Sequence, residues 1–187
     1  ISWMLLEMNK NVCVVGAGYW GRNHIKTLKS LKALGGIVET NSDTFNLISN
    51  EYPEIQCFDN LSEALHQNYD GYIISTPAST HFSVAKKIIL AKKPVLIEKP
   101  MTLSIEEAKE IHSLSISNNI NVMVGHVLLF HPAIEKIKQI IDSGEIGNLQ
   151  YIYSNRLNLG KVRTEENVFW SLAPHDIAIF QYLTGSK

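Results

Sequence analysis

A glycine-rich turn between an apolar run and an amphipathic segment constrains the fold of this chain more than any other feature. Residues 11–15 form a short run rich in β-branched side chains, and residues 16–21 then read G-A-G-Y-W-G. An uninterrupted apolar run is typical of a strand that is buried on both faces of a sheet. From Trp20 to Leu31, apolar residues recur at helical spacing with lysines between them. These segments together predict a strand, a tight turn and a helix.

The three glycines of the turn, Gly16, Gly18 and Gly21, have the G-x-G-x-x-G spacing of a dinucleotide-binding turn. The first allows the tight turn, the second lets a pyrophosphate approach the backbone, and the third permits close packing of the helix. Free N–H groups and the helix dipole favour an anion there. We predict that these glycines, Tyr19 and Trp20 bind a dinucleotide; the alternative is that the glycines serve only the turn.

Glu39 ends the next predicted strand, 23 positions after Gly16. A carboxylate at this point accepts hydrogen bonds from the hydroxyls of an adenosine ribose, and its charge repels a 2′-phosphate. No Arg or Lys follows within residues 40–43 to offset that repulsion. We therefore expect NAD rather than NADP as the cofactor. The alternative is that Glu39 is a solvated strand end.

Predicted strands and helices continue to alternate up to residue 120. The strands are expected at 37–38, 55–58, 71–75 and 94–98, and the helices at 45–52, 61–66, 79–91 and 104–117. Ser104 precedes Glu107 by three positions, as in a capping box. This order implies an α/β fold with a mostly parallel, doubly wound sheet and right-handed crossovers. We assign residues 9–120 to an NAD-binding Rossmann domain.

The pattern changes at Asn121. The sequence then predicts a strand at 122–126, a helix at 132–143, an extended segment at 149–157 and a helix at 174–183. A single long strand cannot form an independently stable sheet. We interpret residues 121–187 as the start of an α+β domain with a mainly antiparallel sheet, truncated near Lys187. The alternative is that a partner supplies the remaining strands.

The composition argues against several classes of protein. The 187 residues are 45% hydrophobic and carry 17 basic and 18 acidic side chains, for a net charge of −1. This balance gives no long-range field for nucleic acid, and the apolar stretch at 122–134 is shorter than the roughly 20 residues that span a bilayer. The N-terminus does not resemble a secretory signal, and two cysteines give no disulfide framework. We expect a cytoplasmic protein that binds neither nucleic acid nor membrane.

Polar residues follow the fourth predicted strand. Ser75, Thr76 and Pro77 leave this strand at the carboxyl edge of the sheet, where ligands bind in open α/β folds. We predict that they line the nicotinamide cleft. His81 begins the next helix and is also assigned to the cofactor site; the alternative is a histidine satisfied by local hydrogen bonds.

Glu98, Lys99 and Pro100 leave the fifth predicted strand at the same edge. A lysine held beside a nicotinamide cation and a carboxylate can donate or accept a proton near neutrality. Glu98 and Lys99 are predicted to contact the cofactor, and Lys99 to serve as an acid or base. The alternative is that Lys99 is a solvated surface lysine.

In this order, the glycine turn, Ser75–Pro77 and Glu98–Pro100 resemble the motifs of the Gfo/Idh/MocA family of sugar oxidoreductases. The resemblance covers essentially the whole chain. It implies that Lys99 is catalytic and contacts the substrate, and that the peptide bond before Pro100 is cis. Members of this family commonly associate through the sheet of the second domain, which implies a homo-oligomer.

Residues 156–177 are similar to one branch of that family, the WlbA-like dehydrogenases that oxidise C3 of UDP-linked N-acetylated sugars. In that branch the histidine before Asp-Ile faces the reacting hydroxyl beside the lysine, which implies the same catalytic role for His175. The wider family has an Asp four residues before this histidine and another three after it, but here Ser171 and Ala178 stand there. An Asp–His pair therefore cannot be assumed. The alternative is that His175 caps a helix beginning near Pro174.

Polar residues around this segment are predicted to bind a sugar carboxylate, an N-acetyl group or a diphosphate: Arg156, Asn158, Arg163 and Asn167. The alternative is a polar loop whose arginines pair with Glu165 or Glu166. His126 is a further candidate for the cleft. The spacing of His126 and His131 does not define a zinc site, and we predict no metal requirement.

The resemblance thus implies an NAD-dependent oxidoreductase that converts a UDP-linked N-acetylated hexosamine, or its uronic acid, to a 3-keto sugar. Such a product suits the synthesis of amino sugars for a surface polysaccharide. Lys99 and His175 share the acid–base work, and their division of it stays open. The alternatives are a dehydrogenase of a free sugar or inositol, and an NAD-binding sensor without turnover.

Overall fold

The computed structural model describes residues 10–156 and 167–186. The chain divides into two compact units, of which the first ends at Val124 and the second begins at Gly125. Strands and helices alternate throughout the first unit, as the sequence predicted.

The first unit is built on a parallel sheet with the strand order β3-β2-β1-β4-β5-β6. Within the described residues, its strands are β1 (Val12–Val15), β2 (Leu34–Val38), β3 (Gln56–Phe58), β4 (Gly71–Ile74), β5 (Val95–Ile97) and β6 (Val122–Val124). Every neighbouring pair runs parallel, and Val12 of β1 is in register with Gly71 of β4 at the centre. The predicted doubly wound parallel sheet is confirmed.

Helices connect these strands: α1 (Tyr19–Ser30), α2 (Ser42–Glu51), α3 (Leu61–Leu65), α4 (His81–Leu90) and α5 (Ile105–Asn118). A 3-10 turn, Ala78–Thr80, precedes α4. Side chains cap the starts of several helices. Asn41 accepts a hydrogen bond from the Thr44 N–H at 2.9 Å, and Ser104 accepts one from the Glu107 N–H at 3.4 Å. The predicted cap at Ser104 is confirmed.

The core has two apolar layers, one on each face of the sheet. Val14 packs with Ile25 of α1 and Ile48 of α2, whereas neighbouring Cys13 lies with Ile88 of α4 in the other layer. This alternation follows from the two-residue period of a strand. Burial of each of these isoleucine side chains stabilises the folded state by about 1.5–3 kcal/mol relative to leaving the side chain exposed. Burial also raises the pKa of the Cys13 thiol.

The boundary between the units differs from the prediction. Val122 of β6 is in register with Val95 of β5, so this strand completes the first sheet and the first unit extends to Val124 rather than to residue 120. Because β6 is an edge strand, its side chains are only partly covered and Met123 is exposed. Each of the other five strands has at least one buried residue, whereas β6 has none.

Within residues 125–156 and 167–186, the second unit contains a 3-10 turn (Val127–Phe130) and two helices, α6 (Pro132–Asp142) and α7 (Val168–Thr184), which pack against one another. The structure begins α7 six residues before the predicted start at Pro174, which lies inside the helix. In the described part of this unit, residues 149–156 are not assigned to a strand, and the expected antiparallel sheet is not seen there. No helix in the described ranges combines the length and apolarity needed to cross a bilayer.

Candidate dinucleotide site and catalytic turn

The three glycines of the turn have distinct structural roles. Gly16 follows β1 with a φ of +94°, and a Cβ there would lie 2.9 Å from the backbone of Ser75. A Cβ on Gly21 would lie 1.9 Å from the Gly16 carbonyl oxygen. In contrast, a Cβ on Gly18 would meet no atom within 4 Å. The turn itself therefore requires Gly16 and Gly21, whereas the open space over Gly18 favours a ligand that approaches the backbone.

The N-terminus of α1 opens onto that space. Gly18 is the N-cap residue, and no acidic side chain lies in the first turn of the helix. The positive end of the helix dipole is therefore available to an anion. Tyr19 and Trp20, which are 83% and 44% exposed, flank the opening and pack edge to face at 6.1 Å.

Glu39 follows β2 and reaches across to the glycine turn. Its Oε2 accepts a hydrogen bond from the Ala17 N–H at 2.7 Å, and its Oε1 accepts one from the Asn41 N–H at 2.9 Å. The carboxylate is thus held beside the turn by two backbone donors. This position, next to Gly16–Gly21, is where a residue that binds the ribose hydroxyls is expected.

The loop after β4 is joined directly to the glycine turn. Ser75 donates its hydroxyl hydrogen to the Gly16 carbonyl at 2.9 Å. Thr76 accepts a hydrogen bond from the Thr80 hydroxyl at 2.7 Å, and Pro77 is exposed ahead of the 3-10 turn. Ser75–Pro77 therefore lies at the same edge of the sheet as the glycine turn.

His81 is nearly fully buried, with 1% of its surface exposed. Its Nδ1 lies 2.8 Å from the Pro100 carbonyl oxygen, and its Nε2 lies 2.9 Å from the Thr76 carbonyl oxygen. Both ring nitrogens are engaged with backbone, so the geometry favours the alternative of a histidine satisfied by local hydrogen bonds over direct contact with a cofactor.

Glu98, Lys99 and Pro100 form the turn after β5, hereafter called the catalytic turn after the acid–base role predicted for Lys99. The Lys99–Pro100 peptide bond is cis, as the resemblance implied. Glu98 Oε1 lies 2.7 Å from His24 Nε2, and Glu98 Oε2 accepts a hydrogen bond from the Lys99 N–H at 3.2 Å. Burial favours a higher pKa for Glu98, but these hydrogen bonds and the charges of His24 and Lys99 outweigh it and lower the pKa.

The sequence interpretation did not identify His24. The sequence did contain a hint. His24 lies three positions after Gly21 and directly before Ile25, and both of these residues are buried on α1. Because residues three positions apart share a helix face, His24 lies beside the buried face of α1.

In the second unit, Arg156 pairs with Asp176 through two hydrogen bonds, Nε to Oδ2 and Nη2 to Oδ1, each 2.9 Å long. The bond to Arg156 is the main cause of the lowered Asp176 pKa. Arg156 thus pairs with a carboxylate, as the alternative of a polar loop supposed, but with Asp176 rather than with Glu165 or Glu166.

Other predicted residues of this unit have mixed outcomes. Asn167 caps α7 by accepting a hydrogen bond from the Trp170 N–H at 3.0 Å. His175 therefore lies inside the helix, and the alternative that it caps the helix start is wrong. Ser171 lies one turn before His175, and the buried Ala178 lies one turn after it. An aspartate at either position is therefore not available to pair with His175. Asn158 and Arg163 lie outside the described residues.

His126 is half-buried just before the 3-10 turn of the second unit, and His131 caps α6 by accepting a hydrogen bond from the Ala133 N–H at 3.1 Å. Over residues 10–156 and 167–186, no three His, Cys, Asp or Glu side chains are grouped as metal ligands would be.

Comparison with known proteins agrees with the geometry of the first unit. Residues 10–126 match the family described as an oxidoreductase family with an NAD-binding Rossmann fold. The chain belongs to the Gfo/Idh/MocA family. The family resemblance inferred from the glycine turn and the catalytic turn is thereby confirmed, as is NAD as the cofactor of this fold.

Two curated members of the Gfo/Idh/MocA family illustrate its range. The chain is 31% identical over 177 residues to UDP-N-acetylglucosamine 3-dehydrogenase of Acidithiobacillus ferrooxidans, covering 93% of this chain and 54% of that protein. It is 25% identical over 189 residues to inositol 2-dehydrogenase of Corynebacterium glutamicum, covering 97% of this chain and 56% of that protein. The chain spans about half the length of these relatives.

A solved structure supports the Gfo/Idh/MocA fold. GenD2 from gentamicin A biosynthesis, in complex with NAD, aligns with a TM-score of 0.81 at 19% identity and covers 95% of this chain and 54% of that one. At this identity the likeness concerns the fold alone.

Replacement of Glu39 by Ala is expected to weaken NAD binding about 10- to 100-fold, because hydrogen bonds to a charged group contribute about 1.5–3 kcal/mol each. The preference for NAD over NADP should shrink as well, since the repulsion of the 2′-phosphate is removed. The dissociation constants of both dinucleotides would be measured by calorimetric titration. Asp43→Ala, on the exposed first turn of α2, is the control. An unchanged Kd for NAD in Glu39→Ala would refute the ribose assignment.

Proposed function

We propose that the full-length protein containing this chain oxidises the C3 hydroxyl of a UDP-linked N-acetylated hexosamine, or of its uronic acid, with NAD as the hydride acceptor. The observation that carries the proposal is the catalytic turn, which presents Lys99 at the same sheet edge as the glycine turn. The 31% identity to a UDP-N-acetylglucosamine 3-dehydrogenase supports this choice of substrate.

The first unit supplies the residues for the cofactor. The backbone at Gly18 and the first turn of α1 would hold the pyrophosphate, and Glu39 would accept the hydrogen bonds of the adenosine ribose. Ser75, Thr76 and Pro77 would border the nicotinamide. When bound, NAD supplies the redox chemistry by accepting a hydride from the sugar carbon.

Lys99 would hold or accept the proton of the sugar hydroxyl as the C–H bond breaks. Its backbone N–H donates a hydrogen bond to Glu98, which constrains the direction of the Lys99 backbone. A group in this position typically accelerates a reaction by 10²–10⁴-fold. His175 would be the second acid–base group.

The second unit would supply the substrate side. We assign to it His175 and four polar residues: Arg156, Asn158, Arg163 and Asn167. The bidentate pair with Asp176 uses two of the five N–H donors of Arg156 and holds the guanidinium in one orientation, and the remaining donors would contact the substrate. We further propose that residues 125–187 begin an α+β domain whose sheet mediates homo-oligomerisation, and that the protein acts in the cytoplasm on precursors of a surface polysaccharide.

A dehydrogenase of inositol or a free sugar is the second candidate, because the chain is also 25% identical to an inositol 2-dehydrogenase. The presence of both Lys99 and His175 argues against a sensor without turnover.

The test supplies the full-length protein with NAD and one candidate substrate at a time: UDP-N-acetylglucosamine, its C6 carboxylate form, free N-acetylglucosamine or inositol. Absorbance of NADH follows turnover, and mass spectrometry identifies the product. A UDP-sugar that loses two hydrogens is the expected result. Turnover of inositol or free sugar alone would replace the proposed substrate with the second candidate, and NAD binding without any turnover would favour a sensor.

A further inference from the structure

The catalytic turn is held by two histidines that come from opposite faces of the sheet. His24 belongs to α1, whose Ile25 packs in the apolar layer on one face. His81 belongs to α4, whose Ile88 packs in the layer on the other face. Each histidine contacts a different part of the turn, Glu98 in the first case and Pro100 in the second.

His24 fixes the side chain of Glu98. The lowered pKa of Glu98 means that its side chain is a carboxylate at neutral pH, and a carboxylate only accepts hydrogen bonds. His24 Nε2 must therefore carry the hydrogen of the 2.7 Å contact. The two side chains are only 22% and 14% exposed, so water competes weakly for this bond. The other oxygen of Glu98 accepts the Lys99 N–H, which extends the restraint to the backbone of Lys99.

His81 joins the catalytic turn to the loop after β4. Its two nitrogens face the carbonyl oxygens of Pro100 and Thr76, and a carbonyl oxygen can only accept. An imidazole N–H can donate to either of these oxygens, and the buried ring fills the space between them. His81 therefore links the backbone of the catalytic turn to the backbone of the loop after β4.

We propose that His24 and His81 are positioning residues for Lys99, with His24 acting through the Glu98 carboxylate and His81 lying between two loops with one ring nitrogen against a carbonyl oxygen of each. The catalytic role of Lys99 itself rests on the proposed function. Neither histidine is required to touch substrate or cofactor in this proposal. Both would instead restrict the backbone from which Lys99 projects.

Hydrogen exchange tests the restraint without reference to any substrate. Mass spectrometry of the full-length protein would compare the peptide covering residues 96–102 in wild type, His24→Ala and His81→Ala. Exchange in this peptide should be about tenfold faster or more in both variants. His112→Ala, at an exposed position of α5, is the matched control and should leave the peptide unchanged. Wild-type exchange in both histidine variants would overturn the proposal.

A second measurement covers the case in which His81→Ala does not fold. Nitrogen-15 NMR of the wild-type protein measures whether a ring N–H of His81 is held in a hydrogen bond, because such a hydrogen exchanges slowly with water. A slowly exchanging ring N–H in His81 is expected. Exchange as fast as that of a solvent-exposed histidine would overturn its part of the proposal.

Kinetics separates positioning from stability. With whichever substrate turns over, His24→Ala should lower kcat at least tenfold while KM for NAD stays within about threefold. His24→Gln keeps an N–H donor and should recover most of the loss. An unchanged kcat would overturn the positioning role of His24. If hydrogen exchange responds as expected but no sugar is oxidised, the proposed function fails while the restraint on the turn stands.

Discussion

Replacement of Lys99 by Met is expected to lower turnover by at least two decades, with NAD binding retained within about threefold. Met is similar in length to Lys and keeps the apolar part of the side chain, but it can neither accept nor donate a proton. Acid–base groups typically contribute 10²–10⁴ in rate. Steady-state kinetics on the full-length protein would measure kcat, and titration would measure the Kd for NAD.

Two further variants define what this result means. Lys109→Met, at an exposed position of α5, removes the same charge away from the catalytic turn and should keep wild-type turnover. Lys99→Arg keeps a positive charge but cannot be deprotonated in a protein, and it should be as slow as Lys99→Met. Near-normal turnover in Lys99→Met would eliminate the acid–base role, and rescue by Arg would assign Lys99 to charge stabilisation instead.

Replacement of Gly21 by Ala is expected to destabilise the fold by about 3 kcal/mol or more. The added Cβ would lie 1.9 Å from the Gly16 carbonyl oxygen, which is backbone and cannot move aside as a side chain can. For a chain of this size, such a loss lowers Tm by roughly 6–12 °C. NAD binding should be lost with it, because α1 must shift away from the turn. Thermal unfolding and NAD titration measure both effects.

Gly18→Ala is the matched comparison within the same turn. Its Cβ would meet no atom within 4 Å, so Tm should change little. NAD binding should nevertheless weaken at least tenfold, because the methyl group occupies the space where a pyrophosphate approaches the backbone. If Gly18→Ala binds NAD normally, the cofactor does not approach at that glycine. If both variants lose stability equally, the distinct roles inferred for Gly18 and Gly21 are wrong.

Much of the first unit was predictable because its signals are local. Apolar β-branched runs, a glycine turn and the cap at Ser104 each identify an element from neighbouring residues alone. The strand β6 was predicted, but its place in the first sheet and the start of α7 were not. Partial exposure made Val122–Val124 differ from the buried strands before it, and Pro174 suggested a helix start although Asn167 provides the cap.

The candidate site was predictable to the extent that it depends on strand ends. Parallel strands bring their carboxyl ends to one edge, so residues such as Glu39 could be assigned to that edge without coordinates. The partners of individual side chains were not accessible in this way. His24 and Glu98 are separated by 74 positions, and Arg156 and Asp176 by 20, so their pairing follows from tertiary packing.

The central strand pair determines when the cofactor site can form during folding. Neighbouring strands elsewhere in the sheet are joined by one helical connection, but β1 must find β4 across 59 positions, as Ser75 and Gly16 show. Closing so long a segment has a larger entropic cost than forming the local pairs. The turn that would hold the pyrophosphate and the loop beside it therefore meet only after the slowest contact of the sheet has formed, and an intermediate containing β1 to β3 alone would lack half of the dinucleotide cleft.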